Sequence, residues 1–326
     1  MSHYALVRRA LFASAATVLI TAFQPAHADA APYSYDGFQI GPGFYLAGDD
    51  STGVNVLGGQ NPANPFYAGG WIQSGGDAQA VFDIGSLTYL GLPTTGGMVT
   101  DSVQFSCCSF GRNGRELTTR LGTDPAPQTI YQSFLIDFGT QGTDDPTQFG
   151  LRGYEMWDGD IGDPFRALGV FVNHFSGVNE LTMSLTTASG TVDELVSGGG
   201  LTLDALAGVH LIVLRFDFDP VLADVVSLYL DPTDSNEANW TPDAVLAAAN
   251  SDLFISHHGA MSNFTFSGGG HIPGRFDEVR WGGTFADVTP FRGDPTAVPE
   301  PTSIGLMGMG LLGALARRRR AAQRAK

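Results

Sequence analysis

The sequence predicts an all-β protein, an antiparallel two-sheet sandwich of about a dozen short strands. Three observations lead there. Glycine makes up 43 of 326 residues, and so much of it belongs to tight turns and not to helices. Runs rich in Val, Ile, Leu, Thr and aromatics recur between Gly, Pro, Asn and Asp clusters. Only one interior stretch carries a helix start. No repeat at a fixed period runs along the chain, which argues against a solenoid or propeller.

Taken in order, the chain begins with a segment suited to export. Arg8 and Arg9 form a positive start and residues 10–23 an apolar stretch. Ala26-His27-Ala28 is a small-residue cleavage site, with Ala26 and Ala28 at the recognised positions, so residues 1–28 read as a signal peptide cut before Asp29. The arginine pair fits a twin-arginine pattern poorly, and general secretion is the expectation. Residues 29–294 then form the folded domain, long enough for a full core as one sandwich. Its first part, 33–76, mixes Gly, Pro, Asn and aromatics with little alternation. It reads as an N-terminal wrap whose aromatics, in Tyr35-Asp36-Gly37-Phe38 and Gly69-Gly70-Trp71, dock on the sandwich.

Strands are expected at 78–84, 86–89, 102–106, 129–138, 150–157, 167–173, 181–187, 201–203, 209–219, 225–230, 253–256 and 276–281. The clearest is 209–219. Ile212, Leu214, Phe216 and Phe218 share one face, while Arg215, Asp217 and Asp219 share the other, so the strand is half-buried at its end. The helix is expected at 241–250. Thr241-Pro242-Asp243 supplies an N-cap, a proline at the first helical position and an acid near the positive end of the dipole, and Asn250 is a stop.

The last thirty residues have a different character. Pro299-Glu300-Pro301 stiffens an extended segment. Residues 302–316 are 15 uncharged residues rich in Leu, Met, Gly and Ala, and Arg317-Arg318-Arg319-Arg320 follows. Four arginines directly after a core helix would have nothing to pair with. The run is therefore read as a membrane helix whose arginines stay on the cytoplasmic side. It falls short of the ~20 residues of a full span.

Charge narrows the function classes. Between Arg9 and Arg317 there are nine arginines and no lysine against 33 acidic residues. A field of that sign repels nucleic acid and anionic lipid. It suits solubility, calcium, or neutral and cationic glycans, and a solvated acidic surface is its simplest reading. The two cysteines, Cys107 and Cys108, are adjacent, which excludes a disulfide scaffold and leaves them a structural or incidental role.

No catalytic set stands out. A retaining glycosidase needs two carboxylates about 5–5.5 Å apart. Glu155 and Asp158 would point to opposite faces of a strand, and Asp277 and Glu278, as neighbours, would diverge. His257, His258 and His271 lack a metal-site spacing, and no Gly-x-Ser-x-Gly elbow is present. Asp158, Asp160 and Asp163, in an Asp/Gly turn, are the candidate ligands for Ca²⁺, which takes hard oxygen donors, although Asp and Gly are also ordinary turn formers. Asp231-Pro232-Thr233-Asp234 is a weaker candidate. Trp157, Trp240 and Trp281, each beside Asp, Asn or Gly, are candidate sugar-stacking residues, with at least two of the three expected in the core.

Three resemblances add to this reading. The ordered tail, Pro299-Glu300-Pro301, apolar run and arginine block, resembles the PEP-CTERM sorting signal of exported Gram-negative proteins. That resemblance implies recognition by an exosortase, a membrane-tethered intermediate, and delivery to the cell surface or matrix of bacteria that make exopolysaccharide. The segments Gly85-Ser86-Leu87-Thr88-Tyr89, Tyr131-Gln132-Ser133-Phe134-Leu135-Ile136, Leu228-Tyr229-Leu230-Asp231-Pro232 and Phe276-Asp277-Glu278-Val279-Arg280-Trp281-Gly282 resemble concanavalin A-like, laminin-G-type jelly-roll domains. That implies the sandwich fold and only weakly a function. Arg115-Glu116-Leu117-Thr118-Thr119-Arg120 is faintly similar to an alginate-lyase strand, but the companion segments are missing, and a charged exposed strand or loop is the expectation. The combined expectation is an exported, exosortase-sorted protein without catalytic activity, binding extracellular polysaccharide. A carbohydrate-active enzyme and a structural surface protein without ligand are the alternatives.

Overall fold

The computed structural model describes residues 34–38, 60, 64–74, 80–83, 85–94, 96–101, 111–137, 152–159, 167–173, 180–188, 190–196, 208–248, 250, 252–262 and 275–291. All lie within one compact unit, Pro32–Lys326. The strands in chain order are β1 Ser34–Asp36, β2 Tyr67–Ser74, β3 Ala80–Asp83, β4 Met98–Asp101, β5 Gly111–Leu121, β6 Gln128–Asp137, β7 Arg152–Trp157, β8 Ala167–Asn173, β9 Glu180–Thr187, β10 Gly190–Leu195, β11 Val209–Phe218, β12 Val225–Leu230, β13 Ala244–Ala247, β14 Ile255–Ser262 and β15 Arg275–Gly282. A single-turn helix, α1 Phe285–Val288, follows β15.

These strands form two antiparallel sheets. One has eight strands in the order β13-β12-β11-β6-β15-β4-β3, with β1 also paired to β15. The other runs β10-β9-β8-β7-β14-β5-β2. The expected alternation on β11 decides how they face each other. Ile212, Leu214 and Phe216 are fully buried and Phe218 nearly so, in the core between the sheets. They meet Leu181, Met183 and Leu185 of β9 and Tyr154 and Met156 of β7 in that core. Each fully buried Leu or Phe contributes about 2 kcal/mol relative to exposure.

The eight-stranded sheet is covered on its outer face as well. Leu211 and Val213 of β11, Tyr131 and Leu135 of β6 and Tyr229 of β12 form a second cluster under Leu87, Leu92, Phe285, Val288 and Phe291. The first half of β11 is thus buried on both faces, whereas Arg215 and Asp217 are half-exposed. α1 is held in place by a capping box. Thr284 Oγ1 accepts from the Asp287 N–H at 3.2 Å, and Asp287 accepts from the Thr284 N–H at 2.8 Å.

Several expectations need correction. Residues 244–247 form the edge strand β13 instead of a helix, paired to β12 with Ala244 opposite Leu228. Ala-Val-Leu-Ala alternates with period 2 as readily as it fits a helix turn, and a helix this short cannot offset its own nucleation cost. The open edge of β12 takes the segment, and Asp243 accepts the Leu230 N–H at 2.8 Å instead of capping a helix. Residues 86–89 are irregular backbone instead of a strand. The expected wrap contains two strands of the sandwich, β1 and β2. Phe38 does dock as expected, edge-on to Phe276 at 5.3 Å and tilted to Trp71 at 6.0 Å. The expected strands at 102–106 and 201–203 lie outside the described residues.

β15 contains a bulge. Phe276 and Val279 both face the core although they are three residues apart, because Glu278 takes a left-handed φ of 58° and the register to β6 shifts between Asp277 and Arg280. Asp277 and Glu278 consequently do not diverge. Both turn to the outer side, where Asp277 meets Ser86 and Leu87 and Glu278 meets Tyr35 of β1.

Candidate functional site

The acidic residues have a structural use that their number alone hides. Asp277 and Glu278 are both completely buried. Asp277 accepts from Ser86 Oγ at 2.7 Å and from the backbone N–H groups of Leu87 at 2.9 Å and Glu278 at 2.7 Å. Glu278 accepts from Tyr35 Oη at 2.6 Å and Arg280 Nη2 at 2.7 Å. Burial, then the neighbouring Glu278 charge, pushes the Asp277 carboxyl up to about 8 against those hydrogen bonds. Elsewhere Asp224 receives the N–H groups of Asp219 and Leu253, Asp219 those of Val221 and Leu222, and Asp231 that of Leu211. These carboxylates close turns and strand ends. The acidic composition is therefore only in part the solvated surface expected from the sequence.

A second set of polar groups ties the sheets together through the core. Arg115 of β5 pairs with Asp36 of β1 at 3.3 Å, with exposures of 1% and 7%. Its Nε donates to the Gly69 carbonyl at 2.8 Å, and its guanidinium lies 4.3 Å from the Tyr67 ring centre. Arg115 is thus not on an exposed strand or loop as expected. Its neighbours Glu116, Thr118, Thr119 and Arg120 are exposed. Nearby, Gln132 Nε2 donates to Tyr154 Oη at 2.9 Å, and Tyr154 is hydrogen-bonded to His258 Nδ1. Burial, then the Arg115 and His257 charges, pushes His258 down to about 3. The imidazole is neutral at pH 7. Tyr and His can transfer a proton, and Arg and Gln can bind a carboxylate beside them, so the set has the residue types for acting on a sugar acid. Here they are sealed in the sandwich interior among Phe134, Trp71, Phe276 and Trp281.

The third feature is open to solvent. Where the cover of the eight-stranded sheet ends, a groove of about 450 Å³ lies over β6 and β11, lined by Thr129, Tyr131, Arg215, Ser235, Glu237 and Phe285 among others. Pairing sets this up, because Arg215 stands opposite Tyr131, and Asp217 opposite Thr129. Glu237 comes from a 3-10 turn, Glu237–Asn239, and reaches over the sheet. It accepts from Tyr229 Oη at 2.6 Å, Tyr131 Oη at 2.7 Å and Arg215 Nη1 at 3.0 Å. Burial raises the Glu237 pKa, but the bonds from Tyr229, Tyr131 and Arg215 outweigh it and hold the carboxyl below its ordinary value. Arg215 also donates from Nε and Nη2 to Asp217 Oδ1 at 3.1 and 3.0 Å, and Thr129 Oγ1 donates to the same oxygen at 2.7 Å.

The residues singled out from the sequence are scattered. Trp157 is 1% exposed and stacks on His257 with centroids 5.4 Å apart and planes at 8°. Trp281 is fully buried in the core. Trp240 is half-buried, directly follows the turn carrying Glu237, and packs on the outer cluster. His257 and His258 are successive residues of β14. His258 faces the core, and His257 lies against Trp157 on the other side. Asp158 is gripped by Arg120, whose Nε and Nη2 reach its two oxygens at 2.7 and 2.5 Å. A cation there would compete with a bidentate guanidinium. Asp160, Asp163, His271, Cys107, Cys108, the N-terminal segment and the tail lie outside the described residues. Among the described residues no group of three His, Cys, Asp or Glu side chains could hold a metal ion. Among the same residues no helix is long and apolar enough to cross a membrane.

Of the residues lining the groove, the sequence marked Arg215 as part of the polar face of a strand and Tyr131 only as part of a segment resembling jelly-roll domains. Glu237 carried no signal, since nothing local brings a residue of a short turn over two tyrosines.

Comparison with known proteins adds the following. Residues 297–320 match the PEP-CTERM protein-sorting motif. That match marks the chain for export and for sorting by an exosortase through a membrane-held intermediate. No curated protein sequence matches the chain. Similar solved structures include an endo-1,3-β-glucanase from Streptomyces sioyaensis, at 12% identity and a TM-score of 0.41, covering 77% of this chain and 95% of that one. An endo-β-1,4-glucuronan lyase from Trichoderma reesei is similar at 13% identity and a TM-score of 0.40, covering 64% and 89%. The Ca²⁺-bound exoplasmic domain of VIP36 is similar at 11% identity and a TM-score of 0.36, covering 65% and 83%. The two antiparallel sheets of the described residues are the two-sheet sandwich that the sequence predicts.

Proposed function

We propose that the mature protein is a cell-surface or extracellular-matrix component that binds extracellular polysaccharide and catalyses no reaction on it. The observation that carries the second half is the occupation of the carboxylates. Glycoside hydrolysis needs one carboxylic acid and one carboxylate facing a shared open space. Asp277 and Glu278, adjacent in the chain, are completely buried, with oxygens engaged by Ser86, Leu87, Tyr35 and Arg280, and the two carboxylates beside the open groove, Asp217 and Glu237, are both held by Arg215. Asp158 is paired to Arg120 and Asp36 to Arg115. The Arg-Tyr-His set that could abstract a proton from a sugar acid is enclosed between the sheets. A rigid sandwich whose charged groups lock its own loops is suited to presenting a surface.

The binding half is supported by the open polar groove over β6 and β11 and by the sorting motif, which delivers the domain outside the cell. The test is incubation of the purified protein with a panel of neutral and acidic polysaccharides, scored for retention and for release of oligosaccharides. Retention without release is expected. Release of product overturns the non-catalytic reading, and absence of retention on every glycan overturns the binding reading in favour of a structural surface protein.

A further inference from the structure

We propose that the groove over β6 and β11 is the glycan site, and that it takes a neutral, polyhydroxylated sugar unit read by Arg215 and Glu237. This rests on the polysaccharide-binding reading and names its site and ligand class. A guanidinium has five N–H donors. Three are committed within the protein, Nε and Nη2 to Asp217 and Nη1 to Glu237. Two remain, on a side chain that is 34% exposed. Held on two sides, the guanidinium presents those donors in a fixed direction, so little ordering cost is left for a ligand to meet.

Glu237 complements it. Its Oε1 accepts from Tyr229 and Arg215, and its Oε2 from Tyr131. A carboxylate has roughly four acceptor positions, which leaves one on Oε2, on a side chain that is 27% exposed. The groove therefore offers donors beside an acceptor. Neighbouring hydroxyls on a sugar ring, each able to donate and to accept, match that set. Tyr131 and Phe285, packed edge to face at 6.1 Å, supply the aromatic part of the lining through their few exposed edges. The volume of about 450 Å³ falls within the range of roughly 300–1,000 Å³ of small-ligand sites.

Charge selects against an acidic sugar. Arg215 is the one cation of the cluster and faces two carboxylates, Asp217 and Glu237. An incoming carboxylate would compete with both for the same guanidinium, in the field of a chain of formal charge −16.

The exported protein is titrated calorimetrically with neutral β-1,3-, β-1,4- and α-1,4-linked gluco-oligosaccharides and with an oligoglucuronate of equal length. At least one neutral series is expected to bind and the oligoglucuronate is not. Arg215→Met should weaken neutral binding about tenfold or more, since it removes hydrogen bonds from a charged donor. Ala286→Phe, which fills the groove without touching the Arg215 hydrogen bonds, should weaken it likewise and decides the matter if the first variant fails to fold. Neutral binding unchanged in both variants overturns the groove assignment and leaves the polysaccharide reading standing. Oligoglucuronate bound as tightly as the neutral series overturns the ligand class. No binding of any of these oligosaccharides overturns the site and its ligand class, and with no retention on any polysaccharide of the panel it overturns the binding reading as well.

Discussion

Asp277 supports a prediction with a defined sign. Its carboxyl is completely buried beside Glu278, and Arg280 neutralises only one of the pair. Burial and the Glu278 charge place its folded-state pKa at about 8, against an ordinary value of 3.8. Between those values the folded chain holds a proton that the unfolded chain has released. The associated stability is complete below the unfolded value and is lost as pH rises through the folded one. Each pH unit inside the window is worth about 1.4 kcal/mol, so raising pH from 6.5 to 8 removes on the order of 2 kcal/mol. For a domain of this size that is a fall in Tm of about 4–8 °C. His258 acts in the opposite direction and at lower pH. Its unfolded imidazole protonates near 6.5 and its folded one only near 3, so stability drops as pH falls across that interval. Between 6.5 and 8.5 the His258 contribution is nearly constant, and the difference between the natural protein and Asp277→Asn isolates Asp277. The assay is thermal melting at constant ionic strength for the natural protein and Asp277→Asn. The natural protein should lose stability across the range, and the variant should show a flatter profile. Equal slopes would mean that the hydrogen bonds from Ser86, Leu87 and Glu278 keep Asp277 ionised, and the reasoning from burial would be refuted.

Three more outcomes are expected. Arg115→Met should cost about 3–5 kcal/mol, because it strands the buried Asp36 charge, while adding Asp36→Leu should restore part of the loss; urea unfolding of the single and double variants checks this. Gly97→Ala should destabilise by about 3 kcal/mol, since a Cβ there would lie 1.7 Å from the Phe38 carbonyl oxygen. Gly69→Ala, where a Cβ meets nothing within 4 Å, should change stability by less than about 1 kcal/mol, as compared by denaturation midpoints. Mass spectrometry of the surface form should find Arg317–Arg320 and the residues after them removed; an intact arginine block would mean a permanent anchor.

How far the chain could be read depended on whether the signal was local. β8 and β12 match their expected limits residue for residue, and β6, β9 and β11 differ by one residue at one or both ends, because long alternating runs carry their own period. β13 was misread because four small apolar residues fit either period, and the choice fell to the unpaired edge of β12. β5 lacked a legible strand signal because its charged residues are split between two environments. Arg115 turns inward to Asp36, 79 positions away, and Arg120 outward to Asp158.

The sequence by itself determined the address and the architecture. The PEP motif, apolar run and arginines are recognised in order along the chain, and the sandwich follows from strand period and turn chemistry, which are both local. Only the tertiary structure decided the roles of the polar residues. Several carboxylates meet partners far away in the chain, as Asp277 meets Ser86 and Glu237 meets Tyr131. Such pairings separate a fold-locking acid from a ligand-reading one, and they depend on register and burial that do not appear in the order of residues.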